Sequence, residues 1–216
     1  MRELGSGDIF YMLLAIRWTL LLSIVAFAGG AAGGILVALA RTGRFRWLRL
    51  LAAGFIKIFQ GTPLLMQLFL AFFTPGIFGI NVNPLAAAAL GLSLNASAFL
   101  GEIWRGSIQV VPAGQTEAAT ALGLRYWPMM ALVIAPQAVR IAIPPTVGFL
   151  VQLIKGTSLA SIIGFVELTR AAQIVNNATF HPFTIFGIVA LAYFVICWPL
   201  SVYSRRMERR LAVAAR

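Results

Sequence analysis

The sequence predicts an all-α integral membrane protein of five transmembrane helices, with residues 1–216 forming a single domain, and three observations carry that expectation. The 216-residue chain is 60% hydrophobic and 11% charged, with a mean hydropathy of +0.90; soluble domains are nearer half apolar and a quarter charged. Charge-free runs such as 18–40 are long enough to cross about 30 Å of hydrocarbon. The 17 Lys and Arg outnumber the 6 Asp and Glu, giving a net charge of +11. These cations gather at the ends of apolar runs, which fits topology determinants facing anionic headgroups and gives no nucleic-acid pattern.

Each helix follows from the order of apolar runs and breakers. The first run carries Gly29, Gly30, Gly33 and Gly34, a small-residue face for close helix packing. A phosphate-binding loop is the alternative reading of these glycines, but no Lys-Ser/Thr follows and the surroundings are apolar. Arg41, Arg44, Arg46 and Arg49 then form a basic cluster, which places that loop in the cytoplasm and the N-terminus outside. The next charge-free stretch, 58–101, is too long for one helix. It breaks at Thr74-Pro75-Gly76 and again near 81–84, giving two helices and a short external loop. The fourth helix starts near Met129 and runs to about Leu153, where Pro144-Pro145 should kink or interrupt it. Residues 155–181 are more polar and are expected to be partly re-entrant or external. The fifth helix, roughly 183–203, ends at Arg205, Arg206, Arg209 and Arg210, so the C-terminus is cytoplasmic. Cys197 lies alone in an apolar run and packs there. No removable signal peptide is expected at the N-terminus.

Between the third and fourth helices, at about 106–128, lies a mostly polar segment with helical spacing. Glu117, Ala118 and Ala119 sit on one short helix. Gly123 follows a turn later, where a left-handed backbone suits a helix end. This spacing, with nine residues between Gly123 and Val133-Ile134-Ala135-Pro136, resembles the EAA loop of permease subunits of ATP-binding-cassette (ABC) importers; Val and Ala stand where that pattern has Ile and Leu. Phe59-Gln60-Gly61-Thr62-Pro63-Leu64-Leu65, Glu102-Ile103-Trp104-Arg105-Gly106 and Lys155-Gly156-Thr157-Ser158-Leu159 are similar to segments of polar amino-acid permeases, with Gln60 where Arg is usual.

The resemblance spans most of the chain and implies a type I importer (MetI-like) core in a bacterial inner membrane. It implies as partners a pair of cytoplasmic ATPases, a second permease subunit and a periplasmic or extracellular amino-acid-binding protein. The substrate would be a polar amino acid. The chain itself would hold no cofactor, ATP and Mg²⁺ being used by the partner ATPase, and would catalyse nothing. Glu117, Ala118, Ala119 and Gly123 would then couple to the ATPase.

The pathway candidates are Gly61, Thr62, Pro63, Gln67, Asn95, Lys155, Thr157 and Ser158. Pro63 removes a donor and bends the second helix, and interrupted helices make sites for zwitterions in transporters; a packing kink is the alternative. Gln67 and Asn95 are polar in apolar runs and serve either as helix–helix glue or as substrate contacts. Lys155 either meets a substrate carboxylate or snorkels to the headgroups. Gly156 stands where related sequences can carry Asp, which tilts the substrate toward acidic or neutral amino acids. Glu102 and Arg105, one turn apart, should pair. A non-transporting membrane scaffold and an ion-driven secondary transporter are the rival classes. The latter calls for inverted repeats and intramembrane carboxylates, whereas Glu102 and Glu167 are expected near interfaces.

Overall fold

A computed structural model describes residues 3–214, with side chains described as far as 211. The elements in order are α1 (Ser6–Thr42), α2 (Arg46–Gly61), α3 (Leu64–Ile77), α4 (Pro84–Val110), α5 (Ala113–Ala121), α6 (Tyr126–Met129), a π-turn (Met130–Ile134), α7 (Ala135–Gly156), a 3-10 turn (Thr157–Ser161), α8 (Leu168–Thr179) and α9 (Pro182–Ala214). Four stretches are long and apolar enough to cross a membrane: Ser6–Thr42, Pro84–Val110, Tyr126–Ser161 and Pro182–Leu211. The α2–α3 pair makes a fifth only if counted as one broken span, because the two helices meet at 104°. The bend expected at Pro63 is therefore an elbow.

The small-residue face of α1 does what its composition predicts. A Cβ added at Gly29, Gly30, Gly33 or Gly34 would run into Ser93, Ala96, Ser97 or Leu100 respectively. The two backbones are in close contact, and the rising numbers on both sides show that α1 and α4 run parallel. Leu22, Leu92, Leu100, Phe149 and Leu153 form the core around this seam. Both helices thus end on the side that carries α5. On α9, Ser204 donates to the carbonyl of Pro144 at 2.8 Å while Cys197 packs on Val151 and Ile154, so α9 descends antiparallel to α7. The Arg41–Arg49 region, α5 and the Arg205–Arg210 region therefore share one side of the bundle.

One expectation needs correction. Pro144 and Pro145 do not interrupt α7, which is continuous across both. Proline's fixed φ is already helical, so both residues fit within the helix, and the Ser204 hydroxyl on α9 adds a bond to the carbonyl of Pro144. The irregular turn falls earlier, where the N–H of Ala135 donates to the carbonyl of Met130 in π register just before Pro136. Glu167 adds a feature that the sequence did not show. It is fully buried, level with Thr19 on α1 and Tyr193 on α9, roughly 20 Å along α1 from its start at 1.5 Å per residue. It is enclosed because α7 stops at mid-bundle and α8 continues the crossing in the same direction, packing Leu168 and Val175 against Met12 and Ile185.

Candidate functional site

Two features of the chain are organised for work beyond spanning: an outward-facing short helix at one end, and a pair of helix breaks that meet halfway up the bundle.

The short helix is α5. Ala119 anchors it, 3% exposed, while Glu117, Ala118 and Ala121 face outward. Gly123 has φ +78°, and its N–H donates to Thr120 O while the N–H of Leu124 donates to Ala119 O. That pair of bonds is a Schellman closure with glycine in its left-handed position, as the spacing predicted. Beneath it, Ile134 packs with Val111 and Ala138, and the Gln137 amide donates to Gln115 at 3.2 Å. The Val133–Pro136 half of the motif is thus the floor on which α5 rests. Leu122 and Trp127, 82% and 73% exposed, stand beside it. Glu102 and Arg105 pair as expected, Nε to Oε2 at 2.8 Å, near the end of α4 that leads into this segment.

The breaks lie deeper. At Thr62–Pro63 the chain turns between α2 and α3, and Pro63 has no N–H for the carbonyl of Phe59. The Gln67 side chain takes its place: Nε2 donates to Phe59 O at 2.8 Å, Thr62 Oγ1 at 2.9 Å and Thr62 O at 3.1 Å. Asn95 Nδ2 on α4 donates to Gln67 Oε1 at 3.0 Å. Gln67 and Asn95 are both buried, so of their two readings the geometry supports glue, holding the elbow open. Gly61, Thr62 and Pro63 are exposed beside it.

The second break follows α7. A Cβ at Gly156 would sit 3.1 Å from Leu64 Cδ2, so position 156 faces the first turn of α3. Thr157 is fully buried and donates to Ile154 O at 2.7 Å, while Ser158 donates to Lys155 O at 2.7 Å. The structure therefore brings Gly61, Thr62, Pro63, Gln67, Asn95 and Gly156 into one neighbourhood. Lys155 does not join them; its exposed side chain opens toward α9.

The sequence did not reveal the supporting role of Glu167. It caps α8 by accepting from Arg170 N at 2.9 Å, and also accepts from the Tyr193 hydroxyl at 3.0 Å and the Thr19 hydroxyl at 3.4 Å. These donors offset the burial of a carboxyl group. A helical start just after a lone acidic residue was the available signal.

Comparison with known proteins agrees with this geometry. Residues 30–213 match the profile described as binding-protein-dependent transport system inner membrane component. The chain is 38% identical over 202 residues to the probable amino-acid ABC transporter permease protein YckA of Bacillus subtilis (strain 168), covering 94% of this chain and 89% of the relative. It is 38% identical over 207 residues to the L-cystine transport system permease protein TcyB of the same organism, covering 95% and 86%. A crystal structure of an amino acid ABC transporter with histidines superposes with a TM-score of 0.88 at 32% identity, covering 97% of this chain and all of that one.

Proposed function

The chain belongs to the family of binding-protein-dependent transport system inner membrane components, and we propose that its two helix breaks form part of the path for a polar amino acid. It is the permease subunit of an ATP-driven ABC importer. The observation that carries the pathway reading is the meeting of the Thr62–Pro63 and Gly156–Thr157 breaks, with position 156 against Leu64. Irregular backbone at membrane depth is tolerated where it lines protein or a water-filled cavity. Helix N-termini there, such as that of α3, attract carboxylates.

The two ends of the machine are joined by α7. Glu117, Ala118, Ala119 and Gly123 on α5 meet a cytoplasmic ATPase, and the floor of α5 is the start of the helix that ends at Gly156. Movement imposed on α5 is transmitted along α7 to the break. ATP binding to the partner selects the outward-open arrangement, which accepts substrate from an external binding protein; a partner can shift this equilibrium only by binding one state better than the other. ATP and Mg²⁺ act in the partner ATPase. The basic clusters on the α5 side make that side cytoplasmic and the N-terminus external. A second permease subunit, identical or paralogous, completes the path. Within the path, the absence of a carboxylate at position 156 favours acidic or neutral amino acids, and Gly156→Asp should improve competition by arginine or lysine.

The test is a mild-detergent purification of tagged chain from its native membrane, read by intact-complex mass spectrometry. An ATPase pair with two permease subunits, identical or paralogous, is the expected result. Recovery of the folded chain without any ATPase would overturn the reading.

A further inference from the structure

Resting on the transport reading above, we infer that a cleft on α9 between Lys155 and Arg205 is an anion-attracting wall of the translocation path. It takes the substrate's carboxylate at Lys155 and passes it toward Arg205 on the side of α5, and so disfavours cationic amino acids.

The cleft encloses about 390 Å³, and Tyr193, Cys197 and Ser201 line it between the two cations. Lys155 lies against Cys197, near the middle of the 33-residue α9. Both Lys155 and Arg205 are exposed, and among the described residues neither side chain has an ion-pair or hydrogen-bond partner. No carboxylate lines the cleft; Glu167 is fully buried, its oxygens taken by Thr19, Tyr193 and Arg170 N.

A lysine at that depth has two ways to remain charged: water or a counter-anion. A lipid-facing position supplies neither in the hydrocarbon middle, so the face that carries Lys155 is wet or anion-filled. In an importer of amino acids, the small anion that passes this depth is the substrate's own carboxylate. Arg205 lies eight residues beyond Cys197 on α9, about 12 Å further toward the α5 side, so the second cation draws the same group onward. The Ser201 hydroxyl stands between them, donating to Cys197 O at 2.9 Å and leaving its lone pairs toward a cleft otherwise walled by Ala190, Phe194 and Trp198. The Gly61–Pro63 elbow and the α9 cleft thus flank the break after α7 from two directions. Gly156 faces the first and Lys155 the second.

The experiment uses the full chain in its native membrane with Cys197→Ala as background and Ser201→Cys as reporter. Ala190→Cys, also lining the cleft, is a second reporter in case the first fails to insert. Labelling rates are compared for a negatively charged and a positively charged methanethiosulfonate, each normalised to free cysteine. The cleft predicts that the anionic reagent reacts faster, that Lys155→Gln reduces this preference roughly tenfold, as expected for one unit charge a few ångströms away in a partly wet site, and that L-glutamate slows labelling more than L-arginine does. Silence of both reporters, absence of an anionic preference, or a preference unchanged by Lys155→Gln would overturn the inference. Copurification of the ATPase separates the two readings. A complex that carries its ATPase with both reporters silent sinks the cleft alone, whereas a chain without an ATPase removes the transport reading and the cleft with it.

Discussion

Gly123 offers the sharpest test of the coupling segment. Its φ of +78° lies where L-residues are strained, and a Cβ built there meets nothing within 4 Å. A substitution therefore acts through the backbone alone, without a clash. The cost of holding an ordinary residue in that conformation is about 1–2 kcal/mol, which shifts the closed arrangement of α5 by roughly 5- to 30-fold. A nine-residue helix has little stability of its own, and no side chain caps its N-terminus at Pro112. The Schellman closure is thus the main local device that fixes its shape. Gly123→Val should lose most copurifying ATPase and most ATP-driven uptake in vesicles, while the protein inserts at its normal level. Gly123→Asn should keep most of both, because Asn visits the left-handed region readily. Gly123→Asp shares that tolerance but adds a charge to the docking face, and uncoupling is expected from the charge. If Val behaves like Gly, or if Asn falls as far as Val, backbone strain at this position is not what sets docking.

Three further outcomes follow from the packing. Gly30→Val drives a side chain into Ala96 where α1 and α4 touch; overpacking of this kind costs about 1–3 kcal/mol, and the thermal midpoint in detergent should fall, whereas Gly54→Ala, in open space, should leave it near the parent value. Gln67→Leu strips partners from Phe59 O, Thr62 O and Asn95, at about 1–3 kcal/mol for each buried group left unpaired; a double-mutant cycle with Asn95→Leu should be clearly non-additive, and simple additivity would dissolve the network. Glu167→Leu removes the acceptor for Thr19, Tyr193 and Arg170 N and should destabilise the protein markedly more than Glu167→Gln. Equal melting of the two variants would show that the acceptor is not needed.

The amino-acid order by itself determined the class of molecule, the short helix α5 with its glycine closure and the seam between α1 and α4. These are local or periodic properties. An apolar run, a glycine at a helix end and small residues on one face each leave a readable pattern. The Glu102–Arg105 pair was legible for the same reason, since one helical turn fixes its geometry. Depth and direction were not legible. Gln67 and Asn95 admitted two readings, glue and substrate contact, until the fold set them against the carbonyl orphaned by Pro63. Glu167 read only as an interfacial acid, and the fold alone showed it buried against α1 and α9 as the cap of α8. Lys155 and Gly156, neighbours in sequence, were separated by the turn of a helix, one toward α9 and the other toward α3. Contacts between residues 28 to 148 positions apart decided these points, and such contacts exist only once the helices have packed.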